Sequence, residues 1–275
     1  MESIHRSIDY PKISLLLEQK YFDYNHPEFI APDPLAVVRE YTDITNREFT
    51  AFIASQFALG RACCISDTAR AILATIIKAA EGKTKASFAA QPQEALLTLS
   101  EIDLQSAFTG FVYRFFTSND VVGLLLSLQH VYRSFKSLEA LLACALEQTR
   151  RDLPSALALF VQTLVDANPQ TKPWKPNLVA SPANGSACKR LMLFLRWMVR
   201  KDAVDPGGWS VLSPAELLAP LDTHAIRSYR QLGFIETSAV TMKTVLAVTE
   251  HLRRIAPDDP LKYDFVLSRP YASCE

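Results

Sequence analysis

The chain has 275 residues, a formal net charge of zero and a pI near 7.0, which excludes a protein coated in positive charge for unspecific nucleic-acid binding. Apolar residues make up 49 % and charged residues 21 %, as in globular proteins large enough to bury a substantial core. No run reaches ~18 apolar residues and the five cysteines lack metal-ligand spacing, so we expect no membrane span and no zinc or iron–sulfur site.

The predicted elements of the first half are all helices. Apolar residues recur with helical spacing, and no stretch alternates as a half-buried strand does. Thr45 and Glu48 have the spacing of a capping box that opens a helix ended by Gly60. Ser66, Ser118 and Ser137 are the predicted starts of three further helices, and another covers residues 153–167.

The helical pattern is interrupted once, at residues 168–186, where four prolines predict a long loop or linker. After this loop, four more helices are predicted. The first begins at residue 189, the second at a capping box formed by Ser213 and Glu216, and the third at Asp222. The last begins at Thr237 or Ser238 and ends before Pro257. We therefore predict an all-α protein of about ten helices. We expect residues 1–275 to form either a single helical domain or two lobes, with the loop 168–186 and a cleft between the lobes.

Positive charge is concentrated around this loop. Residues 167–201 contain seven basic residues and no acidic one. A loop leading into a helix N-terminus also offers free backbone N–H groups and a positive dipole end, so the segment has the parts of a phosphate-binding site. The alternative is structural, because basic residues on an amphipathic helix commonly form a solvated face.

Asp222, in the stretch "PLDTH", stands where a helix begins. Its simplest role is to cap that helix. A carboxylate held by backbone N–H groups also stays ionised at neutral pH, and it can then stabilise a cationic transition state or accept a proton. The two roles are compatible. His224 is either a phosphate contact or a histidine of the helix terminus.

Three stretches together resemble the helix-hairpin-helix DNA glycosylases of the endonuclease III superfamily. They are "FIASQFALGR" with Gln56, "SACKRLMLFLRWMVR" with Lys189, and "PLDTH" with Asp222. The separation of Lys189 and Asp222, 33 residues, is longer than in endonuclease III and similar to the archaeal 8-oxoguanine glycosylase branch. The last two stretches and "DPLKYDF" also resemble, over nearly the whole chain, an uncharacterised bacterial family.

The resemblance implies a two-lobed, glycosylase-like helical fold, with departures. The loop before Lys189 contains only Gly185, so the hairpin is degenerate, and the cysteines of the endonuclease III cluster are absent. Lys189 would be the nucleophile and Asp222 the assisting carboxylate in excision of a damaged base, such as an oxidised purine, from double-stranded DNA. The resemblance implies no metal and no cofactor. The expected contacts to substrate or DNA are Gln56, Arg61, Arg114, Arg190, Arg196, His224 and Arg227.

Other interpretations remain open. A non-catalytic DNA-binding protein of the same fold would keep the basic face without the reaction. A helical interaction module would use that face to bind an acidic partner.

Two further residues have simpler structural roles. Arg114 stands among aromatic residues, where packing between helices is the simpler role, and Trp197 fits a core position better than a base-stacking one. An odd cysteine count and no signal-peptide pattern lead us to expect a cytoplasmic monomer.

Overall fold

The structure, a computed structural model, describes residues 8–83, 87–170 and 174–267. Over these residues it contains 13 α-helices and one hairpin of two short strands, which confirms the all-α prediction. The chain divides into two compact units. The terminal unit contains the described residues up to Ile30 and from Asn184 onward, and the central unit contains those between Ala31 and Ala183.

The central unit is a helical array with one hairpin. Its elements are α2 (Leu35–Arg39), α3 (Ile44–Gln56), α4 (Ala62–Lys83), α5 (Pro92–Thr98), α6 (Glu101–Ala107), β1 (Val112–Tyr113), β2 (Phe116–Thr117), α7 (Ser118–Phe135), α8 (Leu138–Gln148) and α9 (Leu153–Asp166). Helix α3 is the centre of its core, because almost every residue of α3 from Phe49 onward is buried. The ring of Phe52 meets Phe160 of α9 edge-on at 6.2 Å.

Several helix ends differ from the sequence prediction. Helix α3 begins two residues earlier than predicted, because Asp43 rather than Thr45 caps it, and the Asp43 side chain accepts from the backbone N–H of Asn46. Ser66 lies inside α4, where its hydroxyl donates to the carbonyl of Pro32 instead of capping a helix. The prediction for Ser137 is confirmed, since its side chain accepts from the N–H of Ala140. Local caps compete within a few residues, and tertiary contacts decide which one is used.

The hairpin β1–β2 is absent from the sequence prediction. Val112 pairs with Thr117 and Tyr113 with Phe116, and Arg114 and Phe115 form the turn. The turn requires a left-handed backbone at Arg114, with φ of +56°. Two-residue strands are too short to show the alternation from which strands are predicted.

The terminal unit contains the remaining helices. They are α1 (Tyr10–Tyr24), α10 (Lys189–Val199), α11 (Thr223–Gln231), α12 (Met242–Ile255) and α13 (Asp264–Leu267). Single turns of 3-10 helix occur at Pro27–Phe29, at Pro182–Asn184, where the chain passes from the central to the terminal unit, and at Pro214–Glu216, the predicted capping box. Helix α12 begins after Thr241, later than the predicted Thr237 or Ser238. No helix of the described residues is long and apolar enough to cross a membrane.

We predict that Glu48 is a stability determinant of the central unit. Its buried carboxylate accepts from the backbone N–H groups of Leu138 at 2.8 Å and Glu139 at 3.2 Å, and so caps α8 from a different helix. Glu48→Ala leaves these donors unsatisfied and should lower the free energy of unfolding by about 1–3 kcal/mol in urea titrations. Glu147→Ala, an exposed site on α8, is the control and should stay within about 0.5 kcal/mol of wild type. Equal effects of the two substitutions would contradict the prediction.

Candidate active site

Lys189 and Asp222 meet at the starts of two helices of the terminal unit. Lys189 is the first residue of α10, and Asp222 is the residue that caps α11. One oxygen of Asp222, Oδ1, accepts from the backbone N–H groups of His224 at 2.9 Å and Ala225 at 2.8 Å. The other oxygen, Oδ2, accepts from Lys189 Nζ at 2.6 Å. The cap thus fixes the carboxylate and leaves one oxygen for the lysine.

The electrostatics of this pair favour an ionised carboxylate. Burial raises the pKa of Asp222, but Lys189 and the two backbone donors outweigh it and hold that pKa below its ordinary value. Both side chains remain accessible, with 37 % of Lys189 and 32 % of Asp222 exposed. A charged lysine–aspartate pair that a ligand can reach is a candidate site.

The entry into α10 is tightly built. Cys188, directly before Lys189, has a left-handed backbone with φ of +47°, a rare conformation for a residue with a side chain. Two residues earlier, Ser186 forms an antiparallel bridge with Thr241, and the N–H of Met242 donates to the carbonyl of Gly185 at 3.0 Å. The chain therefore enters α10 from a fixed direction. The Cys188 side chain is buried, and burial raises the pKa of its thiol to about 11, so Cys188 has neither the access nor the thiolate character of a nucleophile.

Most of the positive charge that drew attention to α10 is neutralised inside the terminal unit. Arg196 is only 3 % exposed, and its guanidinium donates to Asp205 at 3.1 and 3.2 Å and to Asp264 at 2.5 Å. Arg200, 2 % exposed, donates to Asp259 at 2.9 and 3.0 Å, and also to Asp202 and Asp205. We call these two arginines and four aspartates the buried ion network.

This network corrects the interpretation of Arg196 as a DNA contact. Its guanidinium lies between two carboxylates in the interior, so it has a structural role. One partner, Asp264, is 68 residues further along the chain and the other, Asp205, lies beyond the end of α10, so the amphipathic pattern of α10 alone could not reveal them. The acidic residues 202, 205, 259 and 264 follow the basic window, which is why that window looked unbalanced.

The other predicted contacts of the terminal unit surround Lys189 and Asp222 in sequence. Arg190 follows the lysine on α10, and burial lowers the pKa of its guanidinium to about 10, which leaves it cationic at neutral pH. His224 and Arg227 are exposed on α11, whose first turn is capped by Asp222. These three residues share the terminal unit with the candidate pair, and their roles as contacts to substrate or DNA stay predictions.

The remaining predicted contacts lie in the central unit. Gln56 is fully buried at the end of α3, where its amide donates to the hydroxyl of Ser55 at 2.9 Å, so the side chain has no exposed surface for a ligand. Arg61 and Arg114 are exposed. Arg114 packs so closely on Gly60 that a Cβ there would lie 2.1 Å from the guanidinium, and the φ of +107° at Gly60 also favours glycine.

Two residues near the pair escaped the sequence analysis. Asp264, the first residue of α13, lies in the "DPLKYDF" stretch, which served only as a family signature. Tyr229 is buried on α11, and burial together with Asp264 and Asp222 raises its pKa well above the ordinary value. The sequence around Asp264 and Tyr229 contains no motif or spacing that would mark either residue as part of a site. Among the described residues, no group of three or more His, Cys, Asp or Glu side chains could hold a metal ion.

The comparisons with known proteins identify a family. Residues 33–272 match the model of the family described as "Protein of unknown function (DUF2400)", and because this match spans most of the chain, the protein belongs to that family. The resemblance to an uncharacterised family is thereby confirmed. No curated protein and no solved structure matches the chain.

The lowered pKa of Asp222 makes a stability prediction. The pKa of Asp222 is lower in the folded protein than its value of ~3.9 in the unfolded chain, so its ionised carboxylate stabilises the folded state when the pH is above ~3.9. This contribution disappears as the pH falls through the pKa of Asp222 in the folded protein. Wild type should therefore be more stable than Asp222→Asn at pH 7, and the difference should shrink below about pH 4. Urea unfolding between pH 3 and 7 measures it, with exposed Asp258→Asn as the control for loss of a surface charge. A difference that persists unchanged at pH 3 would contradict the prediction.

Proposed function

We propose that this protein removes a damaged base from double-stranded DNA, with Lys189 as the nucleophile. The observation that carries the proposal is the contact of Lys189 Nζ with Asp222 Oδ2 at 2.6 Å, between two residues 33 positions apart. The resemblance to helix-hairpin-helix glycosylases selects the same two residues from the sequence alone. Chance contact of a lysine and an aspartate at the starts of two helices is common, but this pair is also accessible to a ligand.

The proposed reaction begins with the Lys189 amine. The neutral amine attacks the anomeric carbon of the extruded nucleotide, the bond from that carbon to the base breaks, and the base leaves with the electron pair and takes up a proton. The nitrogen then loses its proton while the sugar ring opens, which gives an imine between Lys189 and the sugar. Loss of a proton from the sugar carbon next to the imine, with departure of the 3′ phosphate and formation of a carbon–carbon double bond, would cleave the strand.

Asp222 has two tasks in this scheme. Lys189 can attack only as a free amine, and Asp222 Oδ2 is in direct contact with the proton that has to leave. As the glycosidic bond breaks, positive charge develops on the sugar, and an ionised carboxylate beside it lowers the energy of that state. The two backbone donors to Oδ1 hold the carboxylate in place during both steps, and the carboxylate is ionised again for the second step once the lysine proton has passed to the departing base.

Each unit offers cations for the phosphate backbone. In the terminal unit these are Arg190, His224 when protonated, and Arg227. In the central unit they are Arg61 and Arg114, and Lys175, whose ammonium group donates to the carbonyl of Phe115. Contacts of this kind position a protein on DNA without reading its sequence.

A second candidate, DNA binding without catalysis, is favoured by the hairpin of the central unit. Its side chains Val112 and Phe115 are 69 % and 48 % exposed, although both are large and apolar, and Arg114 stands between them. An exposed aromatic beside a cation is suited to stack on a base while the cation contacts phosphate. A helical module that binds an acidic protein is the third possibility, and it predicts no affinity for duplex DNA.

The decisive experiment is borohydride trapping on labelled duplexes that carry 8-oxoguanine, other oxidised bases, alkylated bases or an abasic site. We expect a covalent protein–DNA band with wild type on at least one substrate, none with Lys189→Gln, and a roughly 100-fold slower reaction with Asp222→Asn. Lys201→Gln, an exposed lysine at the end of the same segment, is the matched control and should retain the band. A band that survives Lys189→Gln, or no band on any duplex, would refute the proposed reaction.

The hairpin makes a separate prediction about affinity. Phe115→Ala should weaken duplex binding by about 1–3 kcal/mol through lost stacking, without changing its salt dependence. Arg114→Ala should reduce the slope of log affinity against log salt by about 0.9, since one phosphate contact is lost. Fluorescence anisotropy at several salt concentrations measures both effects.

The matched controls for this measurement are Ile102→Ala, an apolar residue that is 78 % exposed on α6, and Lys78→Ala, an exposed cation on α4. Neither control should change affinity. If the controls weaken binding as much as the hairpin variants do, the hairpin is not a specific contact. If wild type does not bind duplex DNA at all, the interaction-module alternative is favoured.

A further inference from the structure

The terminal unit contains a cavity of about 340 Å³ that shares no lining residue with the pair Lys189 and Asp222. Its wall is formed by the second half of α1 and the residues directly after it, together with Ala203 from the loop after α10 and Lys262 from the turn before α13. All of these residues belong to the terminal unit. Small-molecule sites in proteins have volumes of ~300–1,000 Å³, so the cavity is large enough to be one.

Three lining residues of different chemistry share one face of α1. Glu18 and Phe22 are four residues apart, and Asn25, which ends the helix, follows after three more. These are the spacings at which side chains become neighbours on a helix surface. A carboxylate, an aromatic ring and an amide therefore line the cavity side by side, and one ligand can contact all three.

Asn25 gives the cavity a buried acceptor. The residue is 5 % exposed, and its Nδ2 donates to Asp202 Oδ2 at 3.2 Å, an oxygen that also accepts from the hydroxyl of Tyr21 at 3.1 Å. Because a carboxylate only accepts, the amide must turn its nitrogen to Asp202. Within the described residues, Asn25 Oδ1 has no hydrogen-bond partner. A buried carbonyl without a donor is costly, so this oxygen favours a ligand that carries an N–H group.

Lys262 places an ammonium group on the opposite side of the chemistry. Its Nζ donates to Glu18 Oε1 at 2.6 Å and lies 5.0 Å from the centre of the Tyr21 ring. Tyr263 donates its hydroxyl to the same oxygen of Glu18 at 2.7 Å, so the carboxylate is fixed from two sides. The Lys262 side chain is 30 % exposed, and an ammonium group has three donors. It can therefore keep its contact with Glu18 and also bind an anionic group of a ligand.

Phe22 adds an aromatic surface at the rim. The residue is 76 % exposed although it is large and apolar. His26, one turn further on, also lines the cavity, and its Nε2 donates to the backbone carbonyl of Phe22 at 2.8 Å. An exposed ring beside a cavity is suited to stack on a flat heterocycle.

Simpler occupants use only part of this wall. An organic cation would be repelled by the ammonium of Lys262, and an inorganic anion would leave both the carbonyl of Asn25 and the ring of Phe22 without a partner. Water alone could satisfy Asn25, and this structural alternative predicts no affinity for an organic ligand. A ligand that matches the whole wall has a flat ring, an N–H donor on that ring and a negative charge.

We propose that this cavity binds a nucleotide whose base carries an exocyclic amino group. The amino group donates to Asn25 Oδ1, the base stacks on Phe22, and the phosphate contacts Lys262. The nucleotide is either free or an unpaired member of a strand, since both present the same groups. The site does not depend on the function proposed above, because Lys189 and Asp222 take no part in it.

The first test is isothermal titration calorimetry of the full chain with AMP. Purine riboside 5′-monophosphate is the matched probe, because it keeps the ring, ribose and phosphate and lacks only the amino group. We expect AMP to bind and this analogue to bind about tenfold more weakly, since the donor to Asn25 is missing. No binding of AMP at millimolar concentration, or equal affinity of the two compounds, would overturn the proposal. The comparison leaves the protein unchanged, so altered folding cannot produce the result.

Two variants test the other contacts, with adenosine as the ligand that lacks phosphate. Phe22→Ala should weaken AMP and adenosine alike, by about tenfold or more, through lost stacking. Lys262→Gln should weaken AMP about tenfold and leave adenosine unchanged, because only the phosphate contact is lost. A general disturbance of the fold would instead weaken both ligands in Lys262→Gln, and that result would contradict the assigned role of Lys262.

The matched controls are Leu15→Ala, which removes an apolar residue that is 74 % exposed on the same helix, and Lys243→Gln, which removes an exposed cation on α12. Neither residue lines the cavity, so both variants should bind AMP as wild type does. If Leu15→Ala weakens AMP as much as Phe22→Ala does, the cavity is not the binding site and the proposal fails.

An adenylate hexamer separates the two sources of the nucleotide. If the site takes an unpaired nucleotide of a strand, the hexamer should bind at least as tightly as AMP, and Phe22→Ala should weaken both. If the site takes a free nucleotide, only the binding of AMP should respond to Phe22→Ala. A wild-type affinity of Phe22→Ala for both ligands would overturn the proposal. The trapping result with Lys189→Gln bears on none of these outcomes, so the two proposals fail separately.

Discussion

The buried ion network is the interaction on which the terminal unit depends. Taking a guanidinium out of water costs several kcal/mol, and two of them, one in α10 and one directly after its last residue, are tolerated only because four carboxylates satisfy them. Such a network contributes little net stability compared with apolar packing, but its geometry is demanding, because each N–H has one acceptor in one direction. Helix α10 can therefore neither rotate nor slide without breaking several contacts at once. The contacts of Arg196 and Arg200 near the end of the helix thus help to fix the position of its first residue, Lys189.

The candidate site uses the same device on a smaller scale. At α11 a carboxylate caps a helix and then turns its remaining oxygen to a cation of α10, and α13 likewise begins with an aspartate that receives an arginine of α10. At α11 the backbone N–H groups of the helix start help to keep the carboxylate ionised, so Asp222 serves the local fold and the ion pair together.

The sequence predicts the helices well because their apolar periodicity is local information. It also predicts Asp222 as a cap, and the resemblance to glycosylases pairs that residue with Lys189. Arg196 shows the limit, since a charged residue on an amphipathic helix looks solvent-exposed until its partners, 9 and 68 residues away, are known. The hairpin is too short for its pattern to be visible, and nothing in the composition marks the boundary near residue 30. These features depend on which distant segments meet, and that is decided by packing rather than by local preference.

The discontinuity of the terminal unit has a consequence for the order in which the protein forms. Its helices come from both ends of the described chain, whereas the central unit is one continuous segment. During synthesis the central unit can fold as soon as its own residues emerge, but the terminal unit must wait, with α1 already made, until Asp264 has been added to close the contacts of Arg196. The lysine is thus set in place only after residue 264 has been made, so a product truncated before that residue would keep the central unit and lack an assembled site.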